Sequence, residues 1–306
     1  MILVTAAYGN QGQRLIPLLA RAGKKVRAMR AGGDLAALTA LGATESIRGD
    51  ASDPRTLADA MKGVETVYHI GPSLHPRERE MGLAVIEAAE AAGVRHLVFS
   101  SVLHAIEDDL IQHRAKLDIE RRLVSSSLAW TILQPTNYMV PAWTLPVFET
   151  KIFRLYWSLT RRQSLLVLDD FAEVAAKIVT EGEPHFAATY ELSSQDFLNA
   201  HEIAAIFSSV TGCHVGAEYV DPDEFLVRYR RHPLIEPFKT TDRAVTSADL
   251  PYEFDVFRTI GHHLSRYDFR GNPNVLRWLL GREPTSVSEY IRREFARFQA
   301  RVTAST

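Results

Sequence analysis

The chain has 306 residues, of which 46% are hydrophobic and 24% are charged, a composition typical of globular proteins. Its net charge of −2 gives no electrostatic basis for binding nucleic acid or a membrane surface. No apolar run approaches the roughly 18 residues that a membrane-spanning helix needs. The single cysteine excludes an internal disulfide, and the first predicted strand begins at Met1 without room for a targeting segment. We therefore expect a cytoplasmic protein.

The first thirty residues predict a strand, a glycine-bearing turn, a helix and a second strand. The strands are predicted over residues 1–5 and 26–29, and the helix over residues 14–22. The first turn of such a βαβ unit is where a dinucleotide pyrophosphate binds, because a helix N-terminus offers free N–H groups and the positive end of a dipole. The candidate pyrophosphate-binding residues are Ala6, Tyr8, Gly9, Asn10, Gln11 and Gly12.

This turn departs from the usual three-glycine fingerprint. Gly9 and Gly12 are in place, but Ala6 holds the first position. Alanine is small, yet it lacks the freedom of glycine to adopt a positive φ. A turn with two glycines also occurs as a plain tight turn in α/β proteins, so the spacing alone leaves both interpretations open.

Strands and helices continue to alternate after residue 30. Strands are predicted over residues 44–47, 66–70, 96–101 and 130–133, and helices over residues 35–41, 55–61, 77–92 and 111–125. This alternation predicts an α/β fold with a doubly wound parallel sheet. Ligands of such sheets bind outside the carboxyl ends of the strands, so the residues that follow each strand are the candidates for a binding site.

Two charged residues follow the second and third strands. Arg30 stands where an acidic residue would bind the ribose diol of NAD, which favours the 2′-phosphate of NADP(H). An exposed surface charge is the alternative. Asp50 follows the third strand, where its carboxylate can accept a hydrogen bond from the adenine amino group. A turn-forming aspartate is an equally good interpretation.

The next two strand ends carry further candidates. His69, Ile70 and Gly71 close the strand over residues 66–70 and would lie along the middle of the cofactor. Ser100 ends the following strand, near the expected nicotinamide. Serines at a strand end are as often hydrogen-bonded turn residues as site residues.

The helix predicted over residues 111–125 carries a second group of candidates. His113, Lys116 and Glu120 fall on one face by their spacing. A lysine beside the nicotinamide ribose can hold its hydroxyls and assist proton transfer. The alternative is an exposed Lys116–Glu120 ion pair on the helix surface. No pattern of cysteine, histidine and carboxylate predicts a metal site.

Several motifs in order resemble those of the NmrA-like family, a branch of the atypical short-chain dehydrogenase/reductases. They are residues 5–12, 48–50, 94–101, Lys116 with Glu120, 130–139 and 271–284. The resemblance implies an NADP(H)-binding Rossmann domain over residues 1–140 and a small C-terminal α+β substrate lobe over residues 141–306. Residues 165–195, approximately, would return to the Rossmann core.

The resemblance also implies roles for individual residues. Lys116 matches the family's frequently catalytic lysine, and Pro135, Asn137 and Tyr138 would lie beside the nicotinamide. Gln112 stands where classical short-chain dehydrogenases have a tyrosine, and an amide cannot donate a proton at neutral pH. The candidate proton donors are therefore Lys116, His113, Tyr138 or water.

Together these features predict an NADPH-dependent oxidoreductase. Its substrate would be a small, largely apolar carbonyl, imine or activated alkene bound in an apolar pocket. Two alternatives remain open, a redox-sensing regulator without turnover and a non-redox isomerase or cyclase that retains the cofactor. The sequence is compatible with a homodimer and with a regulatory protein partner.

Overall fold

The computed structural model describes residues 1–72, 74–231 and 250–304, which form two compact units. The first unit comprises Met1–Pro135, Phe171–Glu191 and the described part of residues 240–253. The second comprises Thr136–Asp170 and the described parts of residues 192–239 and 254–306. The role of the second unit as a substrate lobe stays a prediction.

The secondary structure follows the predicted alternation. The strands are β1 (Ile2–Val4), β2 (Val26–Arg30), β3 (Glu45–Arg48), β4 (Thr66–Ile70), β5 (His96–Ser100), β6 (Ala129–Pro135), β7 (Asn137–Met139), β8 (Ile152–Leu155), β9 (Gln163–Val167), β10 (Ala188–Leu192), β11 (Phe197–Leu198) and β12 (Gly216–Tyr219). The helices are α1 (Gly12–Arg21), α2 (Ala36–Ala40), α3 (Pro54–Ala60), α4 (Glu78–Ala91), α5 (Ile111–Val124), α6 (Pro141–Thr150), α7 (Leu168–Glu181), α8 (Ala200–Thr211), α9 (Pro222–Arg231), α10 (Leu250–Arg266), α11 (Asn274–Leu280) and α12 (Val287–Ala304). None of the helices in the described ranges combines the length and apolar character needed to cross a membrane.

The main sheet has seven strands in the order β10-β6-β5-β4-β1-β2-β3. The six strands from β6 to β3 pair in parallel, and Ile2 of β1 lies opposite both Val26 of β2 and Thr66 of β4. The strand order reverses between β1 and β4, which is where doubly wound sheets bind their ligands. The predicted Rossmann-type parallel sheet is therefore confirmed.

The core of the first unit lies between this sheet and helices α3, α4 and α5. Leu3, Val67 and Leu97 on adjacent central strands are completely buried. Helices α4 and α5 approach closely at Gly82, since any side chain there would collide with Ile119: a Cβ atom would lie only 2.3 Å from it. Each fully buried Leu, Ile or Val contributes roughly 1.5–3 kcal/mol, so this layered packing holds the strand ends in place.

The second unit contains two small sheets and most of the aromatic residues after position 140. Strand β9 pairs in parallel with β7 and antiparallel with β11, while β12 pairs in parallel with β8. Phe148 of α6 packs against Phe207 of α8 and against Phe295 and Phe298 of α12. Much of the aromatic sequence after residue 140 thus forms the packed interior of this unit.

A buried histidine, His96, lies at the start of β5, at the amino ends of the strands. Its Nε2 is 2.9 Å from the hydroxyl of Thr131, and that hydroxyl donates to the carbonyl of His185 at 2.6 Å. Because the hydrogen of Thr131 is used there, Nε2 of His96 is the donor. Its Nδ1 is buried without a partner in the described residues. Burial, with smaller effects of the His185 and Arg95 charges, lowers the pKa of His96 to about 4.

We predict that His96→Gln makes the free energy of unfolding fall less between pH 7 and pH 5 than it does in the wild type. The unfolded chain binds a proton near pH 6.5, whereas folded His96 resists protonation down to about pH 4. The stabilisation from neutral His96 is therefore present above pH 6.5 and declines as the pH falls toward 4, by about 2 kcal/mol between pH 7 and pH 5. Urea unfolding at both pH values measures this difference. His201→Gln, an exposed control, should leave it unchanged, and an unaltered pH dependence in His96→Gln would contradict the assignment.

Candidate functional site

The turn between β1 and α1 is shaped by two backbone constraints. Ala6 adopts a φ of 43°, in the left-handed region that glycine would occupy freely. The amide of Gly9 closes the turn by donating to the carbonyl of Ala6 at 3.0 Å. A Cβ atom at Gly12 would lie 2.1 Å from the carbonyl oxygen of Ala7, so only glycine lets α1 begin this close to the turn.

Side chains brace the same turn from both ends. Gln13 donates its Nε2 to the carbonyl of Tyr8 at 2.6 Å, and Arg14 donates Nη1 to the carbonyl of Asn10 at 3.0 Å. From β4, the hydroxyl of Tyr68 donates to Oε1 of Gln11 at 3.1 Å. The turn therefore has a fixed shape before any ligand binds.

The amides of this turn are suited to an anion. Those of Tyr8, Asn10 and Gly12 donate to no acceptor within the described residues. The first turn of α1 has no acidic residue, so the positive end of its dipole is not neutralised. Free amides at a helix N-terminus are the usual binding site for phosphate oxygens.

Arg30 lies at the end of β2 and is buried rather than exposed. Its guanidinium carbon is 4.3 Å from the centroid of the Tyr8 ring. On its other side, a Cβ atom at Gly33 would lie 2.4 Å from its Nη2. Arg30 is therefore enclosed between the turn over residues 6–12 and the loop after β2, and it is not a freely solvated charge.

A second arginine, Arg48, holds the same loop from β3. It donates Nη1 to the carbonyl of Ala31 at 3.3 Å and Nη2 to the carbonyl of Gly33 at 2.9 Å. Register pairs Arg30 directly with Arg48 on the neighbouring strand. Two guanidinium groups thus contact the loop after β2, where the sequence pattern predicts one.

Asp50 follows β3 in a local turn. Its Oδ1 accepts from the amide of Ser52 at 2.8 Å, and its backbone amide donates to the hydroxyl of Thr56 at 3.2 Å. The carboxylate therefore stabilises the turn that leads into α3. A contact between Asp50 and adenine stays a prediction.

His69 and Thr5 join the carboxyl ends of β4 and β1. The Thr5 hydroxyl lies 3.0 Å from Nδ1 of His69, accepts from the amide of Ile70 at 2.9 Å and lies 3.2 Å from the carbonyl of Ile70. The imidazole stacks on Phe99 with ring centroids 5.6 Å apart. Burial, followed by the charge of Lys116, lowers the pKa of His69 to about 3. His69 is therefore neutral throughout the physiological range.

Lys116 is buried on α5 and pairs with a residue of another helix. Its Nζ lies 2.8 Å from Oε1 of Glu78, whose side chain is 0% exposed, while the Lys116 side chain is 8% exposed. Gly71 makes room for this carboxylate, because a Cβ atom there would lie 2.6 Å from Oε1 of Glu78. An exposed Lys116–Glu120 pair, the alternative left open above, is therefore wrong.

Glu120 belongs to a separate polar group next to the strand ends. Its Oε1 accepts from the hydroxyl of Ser101 and from Nε2 of Gln134, the latter at 2.8 Å. Burial raises the pKa of Glu120, although both hydrogen bonds and the charge of Lys116 oppose this effect. The neighbouring Ser100 is buried at the end of β5.

The remaining candidates are divided between the two units. His113 of α5 is buried in the first unit, with Nδ1 3.0 Å from the carbonyl of His104. Pro135 ends β6, and its carbonyl accepts from the amide of Leu103 at 2.8 Å. Asn137 and Tyr138 lie on β7 in the second unit, where Asn137 donates Nδ2 to Oε1 of Gln163 at 2.7 Å. Their predicted place beside a nicotinamide stays a prediction.

Two residues of the candidate site, Arg48 and Glu78, were not among the site residues predicted from the sequence. Arg48 appeared there only as part of a family motif, although an arginine at the end of the strand beside β2 is a usable signal. Glu78 gave no signal, because it lies 38 positions from Lys116 and its partner is not visible from helical spacing. Among the described residues, no group of three or more histidine, cysteine or carboxylate side chains is arranged to hold a metal ion.

Comparison with known proteins identifies similar chains. The model of the NmrA-like family matches residues 1–258. The NAD(P)H azoreductase of Xenophilus azovorans is 30% identical over 215 residues, which are 69% of this chain and 74% of that protein. Quinone oxidoreductase 2 of Escherichia coli K12 is 27% identical over 232 residues, 74% of this chain and 79% of that protein.

A solved structure has the same fold. The triphenylmethane reductase of Citrobacter sp., complexed with NADP(H), aligns with a TM-score of 0.76 and 22% identity over 96% of this chain and 99% of that chain. The family match spans the parallel sheet and the two helices that carry Lys116 and Glu78. The resemblance noted from the motifs is thus confirmed, and the chain belongs to the NmrA-like family.

Proposed function

We propose that this protein is an NADPH-dependent oxidoreductase that reduces a small, conjugated and largely apolar acceptor. The observation that carries the proposal is the turn over residues 6–12. The amides of Tyr8, Asn10 and Gly12 donate to no acceptor within the described residues, and α1 follows without an acidic first turn at the point where the strand order reverses. This arrangement fits the pyrophosphate of a dinucleotide.

The preference for NADPH over NADH rests on Arg30 and Arg48. The two guanidinium groups lie on paired positions of β2 and β3, and both contact the loop over residues 31–33. A 2′-phosphate adds charge and hydrogen-bond acceptors that arginine matches well. In this proposal, Arg30 keeps its place against Tyr8 while Arg48 turns from the loop carbonyls toward the phosphate.

When bound, NADPH would supply the hydride, and the protein would orient it and exclude water. Three residues near the strand ends, His69, Tyr68 and Lys116, are the side chains to consider as proton donors to the product. His69 is neutral, and burial raises the pKa of Tyr68, so neither donates a proton near pH 7. Lys116 lies in the second turn of α5, and the N–H donors of its side chain are next to the ring of Phe99. We therefore assign to Lys116 the binding of the nicotinamide ribose and the support of proton transfer.

The acceptor class is proposed from the chemistry of the relatives. Proteins named azoreductase and quinone oxidoreductase reduce conjugated N=N and C=O groups. Each such acceptor takes two electrons as a hydride and then one proton. Conjugation stabilises the anion that hydride transfer leaves, so water can supply this proton, which suits a site without the classical tyrosine. Quinones and azo dyes are therefore the first substrates to examine, ahead of simple ketones, imines and alkenes.

One pair of measurements tests the proposed function. Calorimetric titration with NADPH, NADP⁺, NADH and NAD⁺ should give tight binding of the phosphorylated forms, and quinones or azo dyes should cause steady loss of NADPH absorbance. Strong preference for one oxidation state with no turnover on any acceptor would instead favour a redox sensor. Absence of binding by all four nucleotides would contradict both.

We predict that Lys116→Ala lowers kcat about 100-fold while the Kd for NADPH changes less than threefold, because proton-transfer support typically contributes 10²–10⁴-fold. Steady-state kinetics and calorimetry provide the two numbers. Lys62→Ala, which removes an exposed lysine of the same unit, is the matched control. Thermal unfolding checks that the variant is folded, since the change leaves Glu78 without its cation. Equal losses in kcat and in NADPH affinity would reduce Lys116 to a cofactor ligand.

We predict that Arg48→Ala weakens NADPH binding by about 10-fold, the equivalent of about 1.4 kcal/mol, and leaves NADH binding within twofold. The reason is that only the phosphorylated cofactor offers the guanidinium an anionic partner. Arg55→Ala on α3 removes an exposed arginine of the same unit and serves as the control. Parallel loss of affinity for both cofactors would mean that Arg48 acts only by bracing the loop after β2.

A further inference from the structure

Glu78 is a fully buried carboxylate in the first turn of α4. Removing a carboxylate from water costs several kcal/mol unless a partner and hydrogen bonds compensate. The helix does not require this burial, because Glu80, the other acidic residue of the first turn, interacts with the dipole from the surface. The position of Glu78 therefore needs an explanation outside α4.

The surroundings of Glu78 are arranged around Lys116. Gly71 has no Cβ atom where one would meet Oε1 of Glu78 at 2.6 Å. The Nζ of Lys116 lies 2.8 Å from that oxygen and 5.6 Å from the centroid of the Phe99 ring. The neutral imidazole of His69 stacks on the same ring. The ammonium is thus held by one carboxylate and lies over one aromatic face.

Besides His69, two further titratable side chains face this pair, Glu120 and Tyr252. Glu120, on the same helix as Lys116, interacts with the ammonium electrostatically. Tyr252, in the first turn of α10, is half-buried. Burial, followed by the charges of Glu78 and Glu80, raises its pKa to about 12. Of these groups, only Glu78 makes a hydrogen bond to Lys116 within the described residues.

We propose that Glu78 is a positioning residue that fixes the ammonium of Lys116 for its work on the cofactor and the acceptor. This inference rests on the proposed function. The hydrogen bond to Glu78 uses one of the three N–H groups of Lys116, and the other two have no partner within the described residues. A pair that served stability alone would use more of its donors. Here the carboxylate anchors the side chain and leaves two donors free.

The proposed role also explains why the side chains of Glu78 and Lys116 are just long enough to meet between α4 and α5. The Lys116 side chain loses conformational entropy when its ammonium is fixed by Glu78. Because this loss occurs on folding, less entropy has to be lost when the ammonium acts in the reaction. A glutamine at position 78 would keep the shape and one acceptor but lose the charge. An aspartate would keep the charge but shorten the reach by one methylene group.

The kinetic test compares Glu78→Gln with Glu80→Gln, a change of the same chemistry in the same helical turn. We expect Glu78→Gln to lower kcat at least 10-fold with the Kd for NADPH within threefold, and Glu80→Gln to match the wild type. Glu78→Asp should retain more activity than Glu78→Gln, because the charge remains. In a Lys116→Ala background, Glu78→Gln should lower kcat no further. Unchanged kcat in Glu78→Gln, or a further loss in that background, overturns the proposal.

A second measurement does not depend on turnover. Lysine acetylation by a water-soluble succinimidyl ester, followed by peptide mass spectrometry, gives the labelling rate of Lys116. We expect the rate to rise at least fivefold in Glu78→Gln and to stay unchanged in Glu80→Gln. If the wild type binds no nucleotide and turns over no acceptor, the proposed function fails, while this rate still reports whether Glu78 holds Lys116. An unchanged labelling rate overturns the anchoring itself.

The outcome stays interpretable if Glu78→Gln does not fold. Glu78→Asp then takes its place in both measurements, because it retains a counter-charge for the buried ammonium. A lower kcat with raised Lys116 labelling supports the proposal, and wild-type values of both overturn it.

Discussion

The close approach of α1 to the turn after β1 is the constraint on which the rest of the site depends. The amide-rich turn exists only because Gly12 has no Cβ atom to meet the carbonyl of Ala7. That approach aligns the N-terminus of α1 with the carboxyl ends of β1 and β4, where the strand order reverses. Arg30, His69 and Ser100 lie at the carboxyl ends of the neighbouring strands β2, β4 and β5.

Burial determines which of these groups can exchange protons. Histidines at both ends of the parallel sheet are neutral, His96 at the amino ends and His69 at the carboxyl ends. The first is linked through its Nε2 and the hydroxyl of Thr131 to the carbonyl of His185, and its role is structural. The second lies beside a buried cation, whose charge further disfavours a second positive charge. Next to His69 and Phe99, the charged donor is therefore Lys116 rather than an imidazolium.

Local patterns were sufficient for the fold. The alternation of apolar runs predicted the parallel sheet, and the helix predicted over residues 55–61 is α3, which begins at Pro54 after Asp53, whose side chain accepts from the amide of Arg55 at 3.0 Å. Long-range pairing was not visible. Helical spacing offered Glu120 as the partner of Lys116, because a sequence shows only the neighbours three or four positions apart on the same helix. The true partner, Glu78, is brought near by the packing of α4 on α5, which depends on side-chain volumes at positions such as Gly82 and Ile119.

Ala6 shows how a departure from a sequence fingerprint affects energy rather than geometry. The residue adopts the left-handed φ that the turn requires, at a cost of about 1–2 kcal/mol for a residue with a Cβ atom. The hydrogen bond from Gly9 to its carbonyl and the bond from the amide of Ala7 to the carbonyl of Met29 hold the backbone there. Because these bonds fix the turn from both sides, the strain stays in one residue and the amides keep their directions. A missing first glycine is therefore weak evidence against nucleotide binding in this chain, since the glycine that geometry demands is Gly12.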